Sequence, residues 1–168
     1  MKIPHLTHIV QAMQQTDKAF ETLERLFEYI DSLDDSSFLV SAHSCRARVS
    51  LIKGEAPFAS GLPGIDTTSG GETMFIFLEI PGITQCRVLL AQGSDEGLRK
   101  AEKRLQEYLR LSRTQHNTFQ NITIMALQAL TFEKQGRTDD ALAVLETAVD
   151  LARPGGFIRP FIESGPTV

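Results

Sequence analysis

Apolar residues recur along most of the chain at intervals of three and four, the spacing that gathers one face of an α-helix. From Thr16 to Leu33 the recurring positions are Ala19, Phe20, Leu23, Leu26, Phe27 and Ile30. Between Leu98 and Ser112 they are Leu98, Ala101, Leu105, Tyr108 and Leu109. A third helix is predicted from Phe119 to Phe132, apolar on more than one face and therefore central. A fourth is predicted from Asp140 to Ala152, with Ala141, Leu142, Leu145, Ala148, Val149 and Ala152 on its apolar side. Asp139 and Asp140 stand where acidic side chains favour a helix N-terminus. Pro154, Gly155 and Gly156 then stop the helix. Loop composition from Pro57 to Gly71 and the Pro81-Gly82 pair mark breaks. Met74 to Ile80 has the pattern of a short buried strand but no second strand to pair with, and is expected to be a packed connector.

Three segments close alike: Ala47 to Gly54, Cys86 to Gly93, and Ala129 to Gly136. In each, a small residue precedes the glycine by seven positions and large apolar residues fill much of the interval. Each glycine fits the position just past a helix, where a left-handed conformation costs glycine nothing. The chain is therefore expected to be all-α, with helix-turn-helix units of tetratricopeptide-like type stacked into a short right-handed superhelix. The units fall at approximately 1–34, 35–66, 80–113 and 115–153 of a single repeat domain, 1–168, with 154–168 a tail leading to the next helix. In the last unit Ala129, Phe132, Gly136, Ala141, Leu145 and Ala148 occupy the small and large positions that a tetratricopeptide repeat uses.

The composition changes this picture little. A chain of 168 residues, 42% hydrophobic and 23% charged, is long enough to bury a core and too apolar for disorder. A net charge of −4 argues against a dedicated nucleic-acid binder. The longest unbroken apolar run, Met74 to Leu78, falls far short of a membrane span, and the start of the chain lacks the pattern of a signal peptide. A cytoplasmic location is expected. Two cysteines, Cys45 and Cys86, are too few for a disulfide framework.

The run Phe75 to Gly93, the run Gln135 to Glu146 and the tail Leu151 to Ile162 together resemble the sensor region of bacterial LuxR-family regulators of the large, ATP-dependent MalT-like type. The likeness covers residues 38–165 closely and the first 37 more loosely. In that family a P-loop ATPase module precedes a tetratricopeptide-like superhelix, and a C-terminal helix-turn-helix binds DNA. This chain carries no G-x-x-x-x-G-K-[ST] motif and stops soon after Phe161. The resemblance thus implies a sensor domain of a larger regulator, with no ATP or direct nucleic-acid contact, and no cofactor, assigned to its residues.

Enzyme chemistry finds little support. His5 with His8, His43 with Cys45, and the lone His116 do not make the four-ligand pattern of a structural zinc site. Cys86 holds a repeat's small-residue position and is expected to be an inert packed thiol. Asp34-Asp35 and Asp139-Asp140 are explained by helix capping and the helix dipole. The basic set Arg99, Lys100, Lys103, Arg104, Arg110 and Arg113 is interleaved with Glu96, Glu102 and Glu107, which suggests a solvated helix face.

Repeat superhelices bind partners on the face made by the first helix of each pair. The repeat alignment puts Ser41, Ser44, Arg48 and Leu51 on that face in one unit, Ile83, Arg87 and Leu90 in the next, and Thr123, Ala126, Leu130 and Glu133 in the third. Ser41, Ser44, Arg48, Arg87, Thr123 and Glu133 are the candidate ligand-binding residues. Arg48 and Arg87 share a register and suit an anionic or polyhydroxylated small-molecule inducer, or an acidic peptide. Two functions follow. One is effector sensing and control of oligomerisation in a transcription regulator, and the other is a free-standing adaptor that holds a peptide or protein in the groove. The apolar tail residues Phe157, Ile158, Phe161 and Ile162, with no helix of their own in which to bury, favour the first and predict self-association.

Overall fold

The computed structural model of the chain describes residues 16–32, 39–54 and 80–164. Every regular element among them is helical: α1 (Thr16–Ser32), α2 (Leu39–Ile52), α3 (Pro81–Gln92), α4 (Asp95–Thr114), α5 (Thr118–Lys134), α6 (Thr138–Ala152), a 3₁₀ turn at Arg153–Gly155, and α7 (Arg159–Ile162). Contacts divide the chain into two compact units, Met1–Val88 and Leu89–Val168, with the division falling inside α3. The predicted loop from Pro57 to Gly71, the connector up to Glu79 and the Asp34-Asp35 pair lie outside the described residues.

In the first unit α1 packs on α2. Ala19, Leu23, Leu26 and Ile30 meet Ala42, Cys45 and Val49 in one buried cluster, with Phe20, Phe27 and Leu39 packed against its edge. The α1 residues follow a spacing of four, three and four, so one stripe of the helix carries its share of the seam. Two cations cover the aromatic edges. The Lys53 ammonium lies 4.1 Å from the Phe20 ring centre, and the Arg46 guanidinium 4.7 Å from that of Phe27.

The second unit is built around α5. Its residues from Asn121 to Phe132 are all buried, as the apolar pattern on more than one face predicts, and it packs against α4, α6 and α7. Small residues line the α6 side of this packing. Ala141, Ala148 and Ala152 are buried, and Ala148 has no exposed surface, so the two backbones approach closely. The polar side chains that α5 buries are partly satisfied within the helix. Thr123 donates to the Phe119 carbonyl at 3.0 Å and Thr131 to the Leu127 carbonyl at 2.7 Å, a local bond that removes the cost of a buried hydroxyl.

Each of the three repeat glycines has positive φ: +75° at Gly54, +66° at Gly93 and +74° at Gly136. At the foot of α5 both bonds of a Schellman closure are made, Gly136 N–H to the Glu133 carbonyl at 2.9 Å and Arg137 N–H to the Phe132 carbonyl at 2.9 Å. The same pair of bonds follows α4, from His116 to Arg113 and from Asn117 to Ser112, with His116 at φ +54° in place of a glycine. The next helices start on side-chain caps. Ser94 Oγ accepts from Gly97 N–H at 3.1 Å to open α4, and Asn117 Oδ1 accepts from Gln120 N–H at 3.0 Å to open α5.

Some local expectations need correction. Pro81 and Gly82 begin α3 rather than break the chain, since proline suits a first helical position. Asp139 and Asp140 lie in the first turn of α6, but the cap residue is Arg137 and no side-chain cap bond is made; Asp140 instead accepts from Arg137 Nε at 2.8 Å. The tail does form a short helix. Gly156, at φ +64°, reverses the chain, Phe157 returns edge-on to Phe119 of α5 at 6.3 Å, and buried Pro160 helps start α7.

Two substitutions test these constraints. Gly136→Ala keeps the contacts but forces a side chain into the left-handed region, and should lower stability by about 1 kcal/mol. Ala148→Leu overpacks the α5–α6 contact and should cost about 1–3 kcal/mol. Urea denaturation followed by circular dichroism measures both.

Candidate functional site

The six candidate ligand-binding residues are shared between the two units. Ser41, Ser44 and Arg48 lie on α2 and Arg87 on α3, in the first unit; Thr123 and Glu133 lie on α5, in the second. Ser44 and Arg48 are buried, Ser41 and Arg87 are half-buried, and Ser44, Arg48 and Arg87 are each engaged by a neighbour. Thr123 is buried with its hydroxyl turned to the Phe119 carbonyl, and Glu133 is exposed. Arg48 and Arg87 each stand six residues before a left-handed glycine, so they hold equivalent positions on their two helices.

A compact polar cluster that sequence reasoning passed over sits beside these positions on α2. The His43 ring lies 5.1 Å from the Phe27 ring, and Arg46, stacked on the same phenylalanine, bonds His43 Nδ1 at 2.9 Å. Burial and then the positive charge of Arg46 hold the His43 pKa below its ordinary 6.5. The three-residue step from His43 to Arg46 was visible in the sequence, but the aromatic partner comes from another helix. His43 and Cys45 do not converge, because Cys45 points into the α1–α2 core. Cys86 is fully buried. Among the described residues no three His, Cys, Asp or Glu side chains gather as a metal site would need, and His5 and His8 lie outside them.

The second polar cluster joins three elements. Arg137 follows Gly136 and stacks its guanidinium 4.3 Å from the centre of the Phe132 ring. These are the two positions whose side chains meet in a Schellman closure; here a cation on an aromatic ring replaces the usual apolar pair. From there Arg137 bonds Asp140 at the start of α6 and Glu102 on α4, at 2.8 and 2.9 Å, while Gln135 donates to the other Glu102 oxygen at 3.0 Å. Burial pushes the Glu102 carboxyl up, but the hydrogen bonds from Gln135 and Arg137 and the arginine's charge outweigh it and hold the pKa below 4.5. Glu102 is therefore not one of the carboxylates that screen the basic face of α4. Glu96 is, since it pairs with Lys100 at 2.6 Å in solvent.

The element order, the glycine-closed helix ends and the small-residue seams are those of a tetratricopeptide-like repeat. Over residues 5–168 the sequence matches the family described as the MalT-like TPR region. The chain belongs to this family. Comparison with curated proteins and with solved structures gave no match. A MalT-like repeat region is a sensor or protein-interaction domain, and repeat regions of this type are generally non-catalytic. No helix among the described residues is long and apolar enough to cross a membrane.

Both clusters of this MalT-like region predict a pH dependence. His43 binds fewer protons when folded, so its contribution to stability is present above pH 6.5 and is lost as the pH falls below it. Its imidazole should titrate below 6.5 by NMR, and Arg46→Ala should raise that midpoint. The Glu102 contribution is present above pH 4.5 and lost as the pH falls through the depressed value. Glu102→Gln should therefore destabilise the chain at pH 7 and make progressively less difference toward pH 3.5, as read from urea midpoints.

Proposed function

We propose that this chain is the effector-sensing and protein-interaction domain of a bacterial LuxR-family transcription regulator of the MalT-like type. In this reading it binds a small inducer or a protein partner in the cytoplasm, and the occupied state favours a different degree of self-association. The observation that carries the reading is the family match over residues 5–168. It is supported by the left-handed glycines that close α2, α3 and α5 at equivalent positions. The ATPase and DNA-binding steps of such a regulator belong to other modules, and nothing in these residues takes them on.

Arg48 and Arg87 are the residues to which we assign the ligand, with Ser41 and Ser44 as further polar positions on α2, and Thr123 and Glu133 as the positions that the repeat alignment offers on α5. Their equivalent places on α2 and α3 suit a ligand with repeated acceptors, an anion or a polyol, to which an arginine donates two parallel bonds. The exposed Ile158, at the cap of α7, and Ile162, within it, add an apolar surface that a protein partner would cover.

A thermal-shift screen of sugars, organic acids and nucleotides against the 168-residue chain tests this reading. A true inducer raises the melting temperature in proportion to the logarithm of its concentration. Arg87→Ala should then weaken its binding roughly tenfold to a hundredfold, the range for one charge-assisted hydrogen bond. Arg87→Lys, which keeps the charge without the planar fork, should recover part of it. Unchanged affinity in both Arg87→Ala and Arg48→Ala would remove the ligand from these residues.

A further inference from the structure

On α6 the smaller apolar residues are buried and the larger ones are not. Ala141, Ala148 and Ala152 line the contact with α5, and Ala148 has no exposed surface, whereas Leu142 is 59% exposed and Val149 42%. The apolar pattern places all five on one side of the helix, but the close approach to α5 is made by the alanines, and the larger side chains stay on its flank. Leu142 and Val149 are seven residues apart, almost two full turns, so they stand in one line about 10 Å long, with half-buried Leu145 beside it. An acidic row borders that line. Exposed Asp139 stands three residues before Leu142, and exposed Glu146 stands four after Leu142 and three before Val149, so both are its neighbours on the helix surface. Asp150, also exposed, extends the row by one turn.

Among the described residues Asp139 and Glu146 form no ion pair, and Asp150 meets only Arg153, in solvent at 3.1 Å. The other exposed surfaces of the second unit lack this combination. The outer side of α4 carries Arg99, Lys103 and Arg110 but no exposed large apolar side chain, and exposed Glu96 and Glu107 break up its charge. At α7, Ile158 and Ile162 are exposed, but the charges beside them, Arg159 and Glu163, are paired with each other. Among the described residues of this unit, α6 alone joins an apolar line to a row of charges of one sign.

We propose that this side of α6 is a docking face for an amphipathic helix of a partner protein, one whose apolar stripe is flanked by lysine or arginine. Such a helix engages its site through apolar residues at intervals of three, four and seven, the intervals at which Leu142, Leu145 and Val149 offer contacts. The apolar line supplies attraction at short range, and the acidic row decides which helix is accepted and how it lies. A second copy of this chain fits less well, because it would bring another acidic row to the contact. Nucleic acid and anionic lipid are turned away by the same charge. The proposal deepens the protein-interaction side of the preceding reading by naming the partner's chemistry, and rests on that reading for its part in regulation alone.

Fluorescence anisotropy of the 168-residue chain with two labelled peptides tests the proposal. Each peptide has about 18 residues, with leucines at steps of three and four along one stripe and alanine elsewhere; one carries lysines beside the stripe and the other glutamates. In low salt the lysine peptide should bind about tenfold more tightly than the glutamate peptide, or better, and gain helical circular dichroism as it binds. Leu142→Ser/Val149→Ser should weaken it about tenfold or more. Glu146→Lys should lower its affinity about tenfold and raise that of the glutamate peptide, while Glu107→Lys, the same change of charge on α4, should alter either by less than about threefold. All of these positions are exposed, so the helical signal of the chain should be unchanged. Failure of the lysine peptide to bind would overturn the proposal. So would equal binding of the two peptides, or equal effects of Glu146→Lys and Glu107→Lys, which would mean that the net charge of −4 draws the peptide and no face selects it. Affinity that survives the serine pair but is lost in Ile158→Ser/Ile162→Ser would move the contact to α7. A chain that doubles its mass in sedimentation equilibrium, and returns to one chain in the Leu142→Ser/Val149→Ser variant, would give the face to a second copy instead. None of these outcomes bears on whether an inducer is bound, which the thermal-shift screen reads separately.

Discussion

At the foot of α2, α3 and α5 the chain has to leave the helix while the backbone carbonyls of the last turn still need donors. A residue with positive φ solves both problems, because it turns the next peptide N–H groups back onto those carbonyls. Gly54, Gly93 and Gly136 all take this conformation. After Gly93, and after His116 at the foot of α4, the next helix starts almost at once, capped by Ser94 and Asn117. Within the second unit the pairing of α4, α5 and α6 follows from these few backbone angles.

Between the closures, residue size sets how near the helices come. Ala141, Ala148 and Ala152 let α6 approach α5, and α5 is buried over twelve consecutive residues from Asn121 to Phe132. A helix enclosed on all sides leaves its neighbours to supply the outer surface. Most of the charge of the second unit therefore resides on α4 and α6. Gly136 links this packing to the electrostatics: the closure that it makes places Arg137 over Phe132, within reach of Glu102 and Asp140. Through that one arginine, three helices share an ion network at the turn, and Glu102 leaves the solvent-facing side of α4.

A repeat region does its work through surfaces rather than through reacting groups, and the polar groups of this chain are arranged accordingly. Its histidine cluster consists of ring stacking and one arginine bond, Cys45 and Cys86 are buried, and the buried threonines of α5 are bonded to their own helix. Among the groups left in solvent are the exposed apolar Ile158 and Ile162 and the charged outer sides of α4 and α6.

Four helices, α1, α4, α5 and α6, were legible in the sequence to within a few residues from the three-four spacing of their apolar side chains, whereas α2 and α3 were marked only by their closing glycines and α7 was not foreseen. The glycine positions were legible for a similar reason: a left-handed residue is costly for any side chain, so its place is marked by the residue type. The packed state of Cys86 and the central place of α5 followed from size and apolarity alone. Polar partnerships were not legible. Glu102 looked like one of several carboxylates on a solvated face, and only the approach of the α5–α6 turn gave it Arg137 and Gln135. The Asp139-Asp140 pair looked like a cap, but Arg137 was near enough to claim Asp140 first. The tail looked unhoused until the reversal at Gly156 brought Phe157 onto Phe119. Periodicity and backbone preference are properties of neighbours along the chain, so the sequence by itself determined the helices and their ends. Charge pairing and aromatic contact depend on distances across the fold, and only the tertiary structure decided them.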